Sequence, residues 1–201
     1  VLVVSDEIHC DLTDPGCAYT PFASVSDDCR ENSVTLIAPT KAFNLAGLQT
    51  ACTVTPDPTL RHRVSRGLNT DEVAEPNAFA VTAAVAAFTK GAPWLDALRT
   101  YLYENKCLVR DTIARECPDL RVTPSDATYL LWLDVSRITP DADRLADHLR
   151  RAAGLYLTAG SEYGESGRAF LRMNIAAPRA TVEEGLRRLT RGLASFRDSG
   201  D

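Results

Sequence analysis

The first nine residues constrain this chain more than any other stretch. VLVVSDEIH opens with four apolar residues, mostly β-branched, that run straight into Ser5, Asp6 and Glu7. So short an apolar run reads as a strand buried on both faces, of the kind found inside a parallel sheet, with an acid at its end. Two later runs share this character, VTLIA at 34–38 and ACTVT at 51–55, each bounded by turn-forming residues. Between the first two lies DLTDPGCAYTPFASVSDDCREN, rich in Asp, Pro and Ser, which reads as a loop or at most a short surface helix. Three strands with so few intervening helices cannot cover both faces of a parallel sheet. The front of the chain is therefore expected to be the latter part of a larger α/β layer, with further strands preceding Val1.

From residue 77 the pattern turns helical. NAFAVTAAVAAFTKG offers Asn77 as an N-cap, an alanine-rich body and Gly91 as a stop. Pro93 then opens a long helix that Pro118 closes. Trp94, Leu98, Tyr101, Leu102, Leu108, Val109 and Ile113 give it one buried face. A weaker, charged helix is expected over 60–72. The rear of the chain reads as a strand at 128–135, an amphipathic helix at 141–154, strands at 155–158 and 170–176, and a closing helix at 181–196. That is a small α+β unit, with Tyr129 and Trp132 in its core and Arg179 on its surface. The expected organisation is a front α/β piece over 1–92, a connecting helix over 93–117 and a small domain over 118–201.

Charge and cysteine content exclude several function classes. A net charge of -5 with a pI near 5.3 leaves no basic field for nucleic acid or an anionic membrane. No apolar stretch nears the ~20 residues that span a bilayer. The six cysteines form no C-x-x-C pair and lack zinc spacing, so neither a metal site nor a disulfide framework is expected. Reduced thiols in a cytoplasm fit best.

Two strand ends carry the chemistry. In APTKAFNLAGLQ, residues 38–49, Lys41 follows directly on the second apolar run, at the end of a strand where α/β sheets place reactive groups. It sits among Ala, Pro, Phe and Leu, surroundings that favour the neutral, nucleophilic amine. Asp6 ends the first run in the same way. Together SDEIH and PTKAFNLAGL resemble the pyridoxal-phosphate enzymes of the class I/II aminotransferase superfamily (fold type I), and within it the cystathionine β-lyase-like C–S lyases. NAFAVTAAVAAFTKGAPWLDALRTYLYEN, ATYLLWLDV and FLRMNIAAPR carry the likeness through the rest of the chain.

The resemblance implies a fold and a set of roles. The fold is the latter part of a three-layer α/β/α cofactor-binding domain followed by a small α+β domain. Lys41 forms a Schiff base with pyridoxal 5'-phosphate and later acts as acid and base. Asp6 pairs with the pyridine nitrogen, His9 lies near the ring or its 3-oxygen, and Thr40 helps with the phosphate. Arg172 grips the α-carboxylate of a small amino-acid substrate, because guanidinium and carboxylate match as forks. Two departures stand out: Gln49 and Ala38 occupy places where relatives often carry phosphate-binding Arg and hydroxyl residues. The implied activity is α,β-elimination of cysteine S-conjugates, with transamination as the alternative and a regulator's sensor domain as a third reading. A homodimer is implied for the complete enzyme, and the isolated chain is expected to lack activity.

Overall fold

The structure, a computed structural model, describes residues 1–198. The chain divides into two compact units, Val1–Arg99 and Thr100–Asp201. None of the described helices is long and apolar enough to cross a membrane.

In the first unit, β1 (Val3–Asp6), α1 (Asp27–Glu31), β2 (Ser33–Ile37), α2 (Pro39–Ala42) and β3 (Cys52–Val54) are followed by α3 (Pro58–Thr70) and α4 (Ala80–Lys90). A longer helix, α5 (Ala92–Glu116), begins here and continues into the second unit. The sheet order is β1-β2-β3. β1 and β2 are parallel, with Asp6 opposite Leu36, whereas β3 returns antiparallel with Val54 opposite Thr35. Burial on both faces, expected for all three runs, holds best for the central strand, where Ser33, Val34 and Thr35 are buried. β1 and β3 are edges. Val4 is 62% exposed and every residue of β3 is exposed, so the apolar character of these runs does not translate into burial.

Local caps set the helix starts. Ser26 accepts from Cys29 N at 3.1 Å to open α1, and Asp57 accepts from Leu60 N at 2.6 Å to open α3 just before Pro58. Asn77 lies three residues ahead of α4. Its Oδ1 accepts from Phe79 N at 3.0 Å while its Nδ2 donates to Leu48 O, tying that helix start to the segment that follows Lys41.

In the second unit, β4 (Arg121–Val122), β5 (Leu130–Asp134), α6 (Ala142–His148), β6 (Thr158–Ala159), β7 (Phe170–Asn174) and α7 (Arg179–Asp198) form an antiparallel sheet of order β4-β5-β7-β6 with helices on its core side. Strand alternation divides the side chains. Leu131, Leu133, Leu171 and Met173 enter a core shared with Val109 and Ile113 of α5 and Leu186, Leu189 and Leu193 of α7. Trp132 has the opposite parity and lies outside that core, which corrects its expected placement; Tyr129 does pack against it. The amphipathic helix expected over 141–154 changes pitch, ending in a π-helical turn at Leu149–Ala153 and at Gly154 with φ 65°. Leu155 N bonds back to Leu149 O at 3.1 Å, so the start of the expected 155–158 strand is spent terminating a helix, and pairing begins only at Thr158.

Arg179 is half-buried, not a free surface residue. Its Nε donates to Asn105 Oδ1 at 2.7 Å and its Nη2 to Glu104 at 2.9 Å. Asn105, fully buried, also donates to Ile175 O at 3.1 Å and Ala177 O at 3.2 Å, holding the segment that leaves β7 against α5. Removing that amide strands two carbonyls and a guanidinium, and stranded buried polar groups cost about 1–3 kcal/mol each. Asn105→Ala is therefore expected to lower stability by about 2–4 kcal/mol, read as a fall in the urea midpoint at unchanged slope. A midpoint that stays put removes this network from the forces that hold the second unit together.

Candidate active site

The pleat of β1 separates two neighbouring acids. Asp6 is exposed and Glu7 is 5% exposed, although they are adjacent, because successive side chains leave a strand on opposite faces. Asp6 Oδ1 accepts from Ile8 N at 3.1 Å, which turns the chain at the strand end. Glu7 N extends the ladder to Leu36 O at 2.9 Å, while its Oε1 accepts from Ser5 Oγ and Phe22 N, both at 3.0 Å. The Tyr19 hydroxyl also bonds Glu7. Burial, followed by the Glu7 charge, pushes the phenol up to about 12. Burial and then the Asp11 and Glu7 charges push the Cys10 thiol up to about 11, so Cys10 is no thiolate nucleophile at neutral pH. Glu7 is thus a buried clamp that seats the 19–22 stretch on the strand end. Composition alone did not reveal it, but its parity with respect to Asp6 is a signal that could have done so.

Lys41 is held from behind. β2 runs into the single helical turn of α2, whose cap Ala38 is extended and whose Pro39 sits at the first helical position. Ala38, Pro39 and Ala42 are buried while Lys41 is exposed. The apolar neighbours noted in the sequence therefore do not enclose the amine: one helical turn sends them inward and Lys41 outward. Phe43 anchors the turn. It stacks with Trp94 at 5.9 Å between centroids and meets Phe88 edge-on at 5.8 Å. Gly91 permits this contact, since a Cβ there would lie 2.5 Å from the Phe43 ring and 2.4 Å from Ala87 O. Beyond Phe43, Asn44 and Gln49 both take left-handed conformations, at φ 53° and 47°. Two non-glycine residues of that kind in six positions mark a tightly constrained loop. Thr40 Oγ1 lies 3.5 Å from Thr50 O, a long contact across the two ends of this loop.

His9 links the two strand ends. Burial lowers its imidazole below the ordinary value of 6.5, the Lys41 charge lowers it further, and the Asp6 charge opposes both. The imidazole is therefore mainly neutral at pH 7, and it senses an amine and a carboxylate of opposite sign. Asp6, His9 and Lys41 thus share one electrostatic neighbourhood at the C-terminal edge of a parallel strand pair, the edge at which α/β sheets bind ligands.

Arg172 belongs to the second unit. It stands mid-row on the non-core face of the sheet, opposite Trp132 of β5 on one side and Thr158 of β6 on the other. Its Nη2 lies 3.5 Å from Thr158 Oγ1, its Cζ lies 5.0 Å over the Tyr163 ring, and it pairs with no carboxylate among the described residues. A half-buried guanidinium with most of its donors uncommitted is suited to a planar anion. Tyr163 and Thr158 were not singled out from the sequence. The cross-strand register that places Thr158 beside Arg172 is invisible until β6 and β7 are paired.

Known proteins resemble this chain in sequence and in fold. The family model described as aminotransferase class I and II matches residues 1–189. The cystathionine β-lyase PatB of Bacillus subtilis is 42% identical over 96% of this chain and 50% of its own length. The structure of cystalysin from Treponema denticola, which contains a pyridoxal 5'-phosphate cofactor, superposes with a TM-score of 0.93 at 27% identity, over 97% of this chain and 50% of that one. The pyridoxal-phosphate-bound C–S lyase of Staphylococcus hominis superposes with a TM-score of 0.87 at 30% identity, over 96% and 50%. The chain spans about half the length of the curated relatives it matches.

The shared neighbourhood of His9 can be measured directly by NMR titration of its imidazole in this chain. Lys41→Ala removes a positive charge and is expected to raise the His9 pKa, whereas Asp6→Asn removes a negative one and is expected to lower it. If neither substitution moves the titration, these groups do not form a common site.

Proposed function

The chain belongs to the class I and II aminotransferase family, and from that premise we propose that the protein carrying it is a pyridoxal-phosphate-dependent C–S β-lyase. It cleaves cysteine S-conjugates such as cystathionine to a thiol, pyruvate and ammonia. The observation that carries the reading is the edge shared by Asp6 and Lys41, with His9 sensing both. The 42% identity to a cystathionine β-lyase supports elimination over transamination.

The donor set fits the cofactor chemically. An aldehyde needs a primary amine and a pyridine nitrogen needs a carboxylate; Lys41 and Asp6 offer both, exposed, from adjacent strands. When bound, the cofactor supplies an electron sink that stabilises negative charge at the substrate Cα. Lys41 would hold it through Nζ, and the same amine would serve as the base that takes the proton from the substrate Cα. Asp6 would pair with the pyridine nitrogen and hold its proton there. His9 would lie near the ring or its 3-oxygen as a neutral donor or acceptor, adding no charge that competes with Lys41. Thr40, on the same turn as Lys41, would offer its hydroxyl to the phosphate. Arg172 binds the substrate α-carboxylate with two parallel charge-assisted bonds. Loss of the Cα proton to Lys41 and of the sulfur from Cβ would then give a thiol, protonated from that amine or from solvent, and an enamine that one water converts to pyruvate and ammonia.

The remaining assignments follow from this reading. We assign 1–92 to the cofactor-binding domain, 93–117 to a connecting helix and 118–201 to the small domain, with a homodimer as the working form and the cytoplasm as its compartment. All six cysteines are free thiols in the structure, in keeping with that compartment.

The assay uses L-cystathionine with and without a 2-oxo acid. Elimination is expected to give thiol, pyruvate and ammonia in equal amounts with no 2-oxo acid present, and Lys41→Ala is expected to reduce turnover by about 10²–10⁴-fold. Turnover that depends strictly on an added 2-oxo acid makes the protein an aminotransferase instead, using the same Lys41, Asp6 and Arg172.

A further inference from the structure

Arg172 lies at the centre of a built surface that extends well beyond its own strand. Across the sheet, Trp132, Arg172 and Thr158 stand directly opposite one another. Trp132 stacks on Phe170 at 5.4 Å with rings 16° apart and meets Tyr163 in a T-shaped contact at 5.8 Å. Tyr163 is brought there by a loop of two short 3-10 turns, Gly160–Tyr163 and Glu165–Gly167. The loop closes on itself so tightly that a Cβ on Gly160 would lie 2.3 Å from Gly167 O and 2.9 Å from Trp132, and one on Gly167 would lie 2.0 Å from Gly160 O. Ser161 Oγ ties the loop to Asp143 at 2.7 Å, near the start of α6.

Resting on the reading of Arg172 as the carboxylate-binding group, we infer that Tyr163 is a positioning residue that holds the Arg172 guanidinium in its carboxylate-ready orientation through its ring face, not its hydroxyl. The Arg172 Cζ lies 5.0 Å over that ring. A π contact consumes none of the guanidinium's N–H donors, so the cation is restrained while its fork stays available to an anion. Thr158 Oγ1, at 3.5 Å, restrains one Nη from the side. An arginine left free must lose its rotamer freedom when the substrate arrives; one already seated against a ring has lost it beforehand. Tyr163 is 51% exposed, and its own position is set by Trp132 and by the crossing of the two glycines, so the restraint originates in the fold and is passed on to Arg172.

Such a residue acts on binding, equally in ground and transition states, and so on KM alone. In the complete protein that carries this chain, Tyr163→Leu is expected to raise the KM for L-cystathionine about three- to fivefold with kcat held within about twofold, while Tyr163→Phe keeps both near the parent values. A second readout is independent of activity. The Arg172 Nε–H proton resonance of this chain is expected to carry a ring-current shift that persists in Tyr163→Phe and disappears in Tyr163→Leu. Arg172→Gln separates the two levels of the argument. If it leaves KM unchanged, the carboxylate reading falls and this inference falls with it. If it raises KM steeply while Tyr163→Leu alters neither KM nor the resonance, this inference alone is overturned. A loss in Tyr163→Phe equal to that in Tyr163→Leu also overturns it, since the hydroxyl would then be the active part.

Discussion

The parallel pairing of β1 with β2 is the constraint on which the first unit depends. Its register sets Asp6 opposite Leu36, five residues before Lys41, so both groups leave the sheet at the same edge. The pleat then decides which acid faces out. Asp6 emerges into solvent and Glu7 turns inward, where it clamps Ser5, Phe22 and Tyr19. A slip of one residue would exchange the two, burying the Asp6 carboxylate and exposing the clamp. The network on Glu7 is therefore also what guards the register of Asp6.

Much of this was legible in the chain, for identifiable reasons. The long helix, found at Ala92–Glu116 where 93–117 was expected, announced itself through an apolar face and flanking prolines. The strands of the second unit around 130–134 and 170–174 showed as continuous apolar stretches. What was not legible depended on partners distant in sequence. Nothing local tells Trp132 that its neighbours at 131 and 133 take the core, leaving it to face Arg172. Arg179 reads as a surface cation until Asn105, 74 positions earlier, receives it. The apolar residues around Lys41 suggested enclosure, but a helical turn disperses adjacent side chains through about 100° per residue, and the enclosure went to Ala42 and Pro39 instead.

The same logic of neighbours governs the second unit. Its sheet has one face in the core and one face of mixed aromatic and polar residues, as antiparallel sheets commonly do. Leu171 and Met173 are buried on either side of Arg172 and fix its backbone, so the guanidinium need contribute nothing to the core. Asn105 serves the other end of that strand, satisfying the carbonyls of Ile175 and Ala177 where β7 gives way to α7.

Across both units three of the candidate groups, Asp6, Lys41 and Arg172, are adjacent in sequence to buried residues that carry the structural role. Asp6 is followed by Glu7, Lys41 by Ala42, and Arg172 lies between Leu171 and Met173. Strand alternation and helical rotation make this arrangement possible without special motifs, because consecutive side chains in either element point in different directions. The consequence is a division of labour at single-residue spacing. Asp6 and Lys41 stay exposed and Arg172 half-buried, while the residues beside them carry the packing. His9 reflects this directly: beyond its own partial burial, the charges that move it are those of Lys41 and Asp6. Each unit can therefore present charged groups to solvent without drawing on the side chains that fill its own core.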